Sequence, residues 1–85
     1  MTQYLLACRS LTYAQRAARV LERSGISAAV TKLPQTVAHE GCGYCLRVKE
    51  SRYNDALRVL GAAGLIPERI YMKLPDGQIR EVFVG

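Results

Sequence analysis

The order of its strand-like and helix-like patterns is the feature that most constrains how this chain can fold. Strands are predicted where an apolar run, or an alternation of apolar and polar residues, continues over several positions. Four segments meet this description: residues 3–8, 26–32, 44–50 and 69–74. The turn sequence Pro75-Asp76-Gly77 follows the last of them and predicts one more strand over residues 78–84.

The first helix is predicted between the first two strands. Its apolar face consists of Ala14, Ala17, Ala18 and Leu21. Thr12 and Gln15 have the spacing of a capping box, and Gly25 is a suitable helix end. The opposite side carries charged residues that we interpret as a solvated face: Arg16, Arg19, Glu22 and Arg23.

The second helix is predicted between the third and fourth strands. Ser51 is a plausible N-cap, and Gly61 and Gly64 mark the end of the helix. The apolar stripe of this helix consists of Tyr53, Ala56, Leu57 and Leu60.

These elements give the order β-α-β-β-α-β, followed by an extra strand. That order predicts an α+β, ferredoxin-like fold, in which an antiparallel sheet carries both helices on one face. We expect one domain over residues 1–85, with residues 74–84 as a C-terminal hairpin extension. In this topology the first and third strands are antiparallel neighbours, so Cys8 should lie near Cys42 and Cys45. The start of the first helix belongs to the same edge, where its partial positive charge could stabilise a thiolate.

The cysteine count indicates the compartment in which the protein works, and the charge indicates the kinds of partner that it could bind. Three cysteines among 85 residues is an odd number, which suits reduced thiols in a cytoplasm better than a disulfide framework. No apolar run approaches the ~18 residues of a membrane span, so we expect a cytoplasmic protein with no membrane partner. The net charge of +5 favours polyanions, anionic small molecules or acidic proteins.

Two of the three thiols fall within the segment Gly41-Cys42-Gly43-Tyr44-Cys45-Leu46. Glycine leaves the backbone unobstructed, so Gly41 and Gly43 should let a reactant approach Cys42 closely. Cys42 is therefore the leading candidate for a reactive thiol. Strand parity places Cys45 on the open face of the sheet and turns Cys8 inward, where core packing is its expected role.

A Cys-x-x-Cys pair can form a disulfide, ligate a metal or pass a bound sulfur atom between its thiols. If the chain turns at Gly43, Cys45 can resolve an adduct on Cys42 by forming a disulfide. If the third strand instead begins by Gly43, mild oxidation should join two chains through Cys42. Zinc would also need Cys8 and His39, in a spacing typical of no standard finger, so no cofactor is expected. Metal binding or redox sensing stays an alternative, as does a role for His39 as a local base.

The face of the sheet away from the helices is expected to be open and basic. It should carry Arg47, Lys49, Arg69, Tyr71 and Lys73. A basic sheet with an aromatic residue resembles a platform for single-stranded RNA, but the first and third strands lack outward aromatics for stacking. Nucleic acid is therefore not an expected partner, and a second copy of the chain is the expected cover for this face.

Over residues 4–73, the chain resembles a family of small bacterial and archaeal selenium/sulfur carrier-like proteins. The resemblance rests on the strand ending at Ser10, on the helix with Ala14, Ala17 and Leu21, and on the pairs Gly25-Ile26 and Leu33-Pro34. Its most specific part is Cys42-Gly43 followed by Leu46-Arg47-Val48.

The resemblance implies that Cys42 is the carrier thiol. The chain departs from the family pattern in two places. Gln35 and Thr36 stand where a second proline and an arginine are usual, and Cys45 replaces an apolar or small residue. Dithiol chemistry therefore does not transfer from the family.

We therefore expect a sulfur or selenium carrier, not an enzyme with its own turnover, in which Cys42 holds a persulfide-type adduct and Cys45 is a possible resolving thiol. Gly41, Gly43, Ser10 and Arg47 are the expected binding residues around it. The implied partners are a donor such as a cysteine desulfurase and an acceptor protein, with a homodimer possible. The alternative from another class is a binding or assembly module that acts through the open sheet face.

Overall fold

One antiparallel sheet organises the residues that the structure describes. A computed structural model of the chain describes residues 2–34 and 43–82. Within these ranges the elements are β1 (Gln3–Ala7), α1 (Leu11–Arg23), β2 (Ala29–Lys32), β3 (Tyr44–Lys49), α2 (Tyr53–Ala62), β4 (Arg69–Lys73) and β5 (Ile79–Val82). A short 3₁₀ turn, Glu50–Arg52, precedes α2.

The strand order in the sheet is β2-β3-β1-β4-β5. β1 is central and antiparallel to both β3 and β4, and β5 pairs with the outer edge of β4. The α+β, ferredoxin-like prediction is therefore confirmed, with the extra strand added beside β4. In β1, Ala7 lies opposite Cys45 of β3 and Arg69 of β4, so the end of β1 meets the start of both neighbours.

The main core fills the space between the sheet and the two helices. Alternate residues of the central strands point to this side, as strand geometry requires: Leu6 pairs with Leu46 on one side and with Ile70 on the other. The buried members of this core are Leu6, Cys8, Ala14, Ala17, Leu21, Ile26, Leu46, Val48, Ala56, Leu60, Leu65 and Ile70. The apolar stripes predicted for the two helices therefore face the sheet.

Both helices end in the same way. Gly25 and Gly64 adopt left-handed backbone angles, with φ of 77° and 72°, which glycine tolerates best. The residue after each glycine donates its amide to the helix carbonyl five positions earlier: Ile26 to Leu21, and Leu65 to Leu60, each at 2.9 Å. This is the Schellman motif, and both apolar pairs belong to the core. β2 consequently begins at Ala29, three residues later than predicted, because Ile26 belongs to the end of the helix.

The predicted helix starts need correction. α1 is capped by Ser10, whose hydroxyl accepts a hydrogen bond from the amide of Tyr13 at 3.0 Å, and not by a capping box at Thr12. Ser51 lies inside the 3₁₀ turn, and α2 follows Arg52 with no side-chain cap. The physical reason is that the 3₁₀ turn carries the chain directly from β3 into α2.

Ser10→Ala is expected to lower the free energy of unfolding by ~1 kcal/mol, because an amide of the first turn loses its acceptor. Ser51→Ala is the matched control and should change stability by less than ~0.5 kcal/mol, since Ser51 caps nothing. Urea unfolding followed by circular dichroism measures both. Equal losses in the two variants would show that Ser10 does not act as the cap.

None of the helices in the described ranges has both the length and the apolar character that crossing a membrane requires.

Candidate functional site

Cys8 follows β1 directly and faces the helices. Its side chain is buried in the main core. Its amide donates to the carbonyl of Tyr44 at 3.1 Å, and its thiol donates to the carbonyl of Leu6 at 3.4 Å. The inward orientation predicted for Cys8 is therefore found, and its surroundings are those of a packed core residue.

Cys45 lies in β3, between Ala7 of β1 and Thr31 of β2, and its side chain is 0% exposed. It faces away from the helices, as parity predicts, but the face is not open there. The buried residues around it are Leu5, Ala7, Leu33 and Tyr71, with Ile79 packed against them. The prediction of an open face was wrong because Leu33, just beyond β2, and Ile79, from the added strand, pack against this side of the sheet. We call Cys45 and these five residues the second cluster.

Burial also sets the chemistry of Cys45. It raises the pKa of the thiol from 9.0 to about 11, and the neighbouring positive charge of Arg47 offsets only part of this rise. At neutral pH the side chain is therefore a protonated thiol. Because the thiolate is the nucleophile, Cys45 is poorly suited to attack an electrophilic sulfur.

Cys8 and Cys45 come from neighbouring strand ends but lie on opposite faces of the sheet. Ala7 pairs with Cys45 and shares its cluster, so the next residue, Cys8, points to the other side. The two thiols consequently cannot share one metal ion in this arrangement. Within residues 2–34 and 43–82, His, Cys, Asp and Glu side chains form no group of three that could hold a metal.

The leading candidate, Cys42, lies outside the described residues, as do Gly41 and His39. The two ends of the connection that contains them are described. The amide of Leu33 donates a hydrogen bond to the carbonyl of Gly43, which ties the exit of β2 to the entry of β3. This entry lies at the sheet edge that also bears Cys8, since Tyr44 accepts the amide of Cys8.

Two of the expected binding residues belong to segments that start or end at this edge: Gly43 directly precedes β3, and Ser10 directly precedes α1. A Cβ added at Gly43 would meet no atom of the described residues within 4 Å, so these residues leave the space beside the start of β3 open. The hydroxyl of Ser10 is engaged as the cap of α1, which fixes the positive end of that helix close to the end of β1.

Arg47 does not join these residues. It lies opposite Leu5 in the middle of the sheet and is exposed. With Gln3 and Lys49 it lines a separate shallow cleft of ≈ 150 Å³.

The basic face predicted from the sequence is a rim of charges around an apolar patch. Arg47, Lys49, Arg69 and Lys73 are exposed, whereas Tyr71 is 3% exposed within the second cluster. A buried ring has no free face for a base, so Tyr71 does not offer the stacking surface of an RNA-recognition sheet.

Sequence reasoning missed Leu33 and Ile79 as members of the second cluster. The second strand is predicted to end at residue 32, so Leu33 falls at a loop position. The signal available was its apolar side chain at a loop position, where such a residue often packs against a neighbouring surface.

Comparison with known families matches residues 3–72 to the family described as Putative Se/S carrier protein-like. The chain belongs to this family. The matched residues include Cys8, Cys42 and Cys45, and the match ends before β5. The resemblance inferred from the residues is therefore confirmed, and the family description supports a role in carrying selenium or sulfur. Neither a curated protein nor a solved structure matches the chain.

Proposed function

We propose that the protein carries sulfur or selenium on Cys42 as a persulfide-type adduct and hands it to an acceptor protein in the cytoplasm. The observation that carries the proposal is the burial of the other two thiols. Cys8 is 2% exposed and Cys45 is 0% exposed, so neither offers a sulfur atom to a partner. Cys42 is the remaining cysteine, and it falls within the part of the chain that matches the carrier family.

The transfer is a thiol exchange. The thiolate of Cys42 attacks the terminal sulfur of a donor persulfide, a bond from Cys42 to that sulfur forms, and the sulfur–sulfur bond of the donor breaks. The donor leaves as a thiolate and takes up a proton, while the proton of Cys42 has passed to solvent. The terminal sulfur keeps its oxidation state, so the step needs no oxidant or reductant. Delivery to an acceptor thiol is the same reaction with the roles exchanged.

The described residues around this edge support attack by Cys42 in two ways. The capped start of α1 presents a partial positive charge beside the end of β1, which favours an anion in the neighbourhood. The open space at Gly43, the residue that follows Cys42, leaves room for the donor persulfide. Cys45, protonated and packed in the second cluster, stabilises the fold and takes no part in the exchange.

Loading is tested by intact-mass measurement after incubation with a cysteine desulfurase and cysteine, and separately with inorganic polysulfide. Wild-type protein should gain the mass of one sulfur atom, which dithiothreitol removes. Cys42→Ser should gain none, because no accessible thiolate remains. Cys45→Ala is the matched control and should load as the wild type does.

Two results would overturn the proposal. One is sulfur retained on the Cys42→Ser variant. The other is wild-type protein that neither donor loads, since polysulfide reaches an accessible thiolate without any need for protein docking.

A further inference from the structure

Three arginines of α1 form a cationic face directed away from the sheet. Arg16, Arg19 and Arg23 follow one another at helical spacings of three and four, so they lie on one side of the helix, and all are exposed. With the end of α2 they line a cleft of ≈ 260 Å³. The rest of the lining is apolar and consists of Val20, Ala63 and Leu65.

The only acidic residue of α1 is Glu22, three positions after Arg19, and it forms no ion pair with these arginines in the described part of the chain. None of them forms an ion pair there, and the lining of the cleft contains no carboxylate. The arginines of the second helical region differ. Arg52 and Arg58 both contact the carboxylate of Asp55, at 3.5 and 3.1 Å.

The spacing also opposes helix stability, because like charges three and four positions apart repel each other. Arg16 and Arg19 form one such pair, and Arg19 and Arg23 form the other. The dipole of the helix accounts for a cation in its last turn, where Arg23 lies, but not for Arg16 and Arg19. Three arginines without ion pairs, beside an apolar surface, are instead suited to binding a negatively charged partner.

The shape and chemistry of the cleft specify that partner further. Its volume lies below the roughly 300–1,000 Å³ of a typical small-molecule pocket, but it can admit a single side chain. Guanidinium groups bind carboxylates through paired hydrogen bonds. We infer that the cleft binds an acidic segment of a partner protein, with an apolar side chain against Val20 and Leu65 and carboxylates on the three arginines.

A nucleic acid fits the same cleft less well. Binding of single strands depends on aromatic side chains on which bases stack, and the lining contains none. The partner is thus identified by carboxylates arranged around an apolar residue. The inference concerns α1 and the end of α2, so it holds or fails independently of sulfur transfer at Cys42.

Fluorescence anisotropy with a labelled helical peptide tests the inference. The probe is rich in glutamate and has one central leucine, and a second probe carries alanine in place of that leucine. Gln substitutions keep a polar side chain and a similar helix propensity while they remove charge. The variants are Arg16→Gln/Arg19→Gln/Arg23→Gln and, as matched control, Arg52→Gln/Arg58→Gln.

The wild type should bind the leucine probe in 50 mM NaCl and release it in 500 mM, because salt screens exposed charges. The triple variant should bind at least about tenfold more weakly, whereas the control should change by less than about twofold. The alanine probe should bind about tenfold more weakly than the leucine probe, since the apolar contact is lost. If the triple variant does not fold, Arg19→Gln alone should still weaken binding by about threefold.

Several outcomes would overturn the inference. Losses of binding free energy in proportion to the charges removed, three in the triple variant and two in the control, would mean that only net charge matters. Equal affinity for the two peptides would mean that the apolar floor is not used. No binding at 50 mM NaCl would exclude the site. Tighter binding of a single-stranded oligonucleotide of the same charge, lost in the triple variant, would assign the face to nucleic acid.

Discussion

Native protein treated with iodoacetamide at pH 7 is expected to be alkylated at Cys42 at least about a hundredfold faster than at Cys45. The pKa of about 11 leaves roughly 0.01% of Cys45 as thiolate at this pH, against roughly 3% for an ordinary accessible cysteine. The greater basicity of a Cys45 thiolate recovers about tenfold of this difference. Burial lowers the alkylation rate of Cys45 by more than this tenfold gain, because a fully covered sulfur reacts only when the structure opens locally.

Mass spectrometry of quenched time points, with peptide assignment, measures the two rates. Wild-type protein should take up one label rapidly, and Cys45→Ala should do the same. Cys42→Ser should take up almost none until urea is added, after which both of its remaining cysteines should react. First labelling of Cys8 or Cys45 in native protein would contradict the assignment of Cys42 as the reactive thiol.

The topology of the fold could be predicted from the sequence because each element has a clear period. Alternation in residues 46–49 and helical spacing from Ala14 to Leu21 each reflect one buried side. The order of these patterns then leaves few topologies, and the ferredoxin-like arrangement is one of them. The pairing of Ala7 with Cys45 follows from that arrangement.

The state of the second sheet face could not be predicted in the same way. Parity assigned Cys45 and Tyr71 to that face correctly, but parity does not say what lies against it. Leu33 and Ile79 pack there from opposite ends of the sheet, and each is distant in sequence from Cys45. Packing of a loop residue or of an added strand against a sheet face has no periodic signal in the sequence.

The residue at which each helix starts could not be predicted from the apolar pattern either. Ser10 and Thr12 are both good capping residues, and only the backbone angles decide between them: Ser10 is extended, with φ of −158° and ψ of 163°, as a capping residue should be. For the candidate site, the sequence predicts Cys42 as the reactive cysteine but does not predict the burial of Cys45. That burial changes Cys45 from a possible partner in the chemistry into part of the fold.

The stability of the protein is expected to fall by about 2 kcal/mol between pH 9 and pH 11 because of Cys45 alone. The pKa of this thiol is about 11 in the folded protein and close to 9.0 in the unfolded chain. Between these values the unfolded chain has released its proton while the folded protein still holds it. Raising the pH therefore favours unfolding, and the contribution of Cys45 is complete below pH 9 and lost as the pH passes through about 11.

The test compares Cys42→Ser with Cys42→Ser/Cys45→Ala, so that Cys45 is the only difference between the two proteins. Urea unfolding measures the stability of each, with reducing agent present, at several pH values from 7 to 11.5. Tyr53, whose pKa is raised by burial and by the Tyr4 ring stacked 3.8 Å away, titrates in both proteins and cancels. At pH 7 the alanine variant should be less stable by ~1 kcal/mol, because it leaves a small cavity in the second cluster. Near pH 10 the two stability curves should cross, and above pH 11 the alanine variant should be the more stable by ~1.5 kcal/mol. Parallel curves over the whole range would show that the Cys45 thiol is not buried in the way that makes it unsuitable for sulfur transfer.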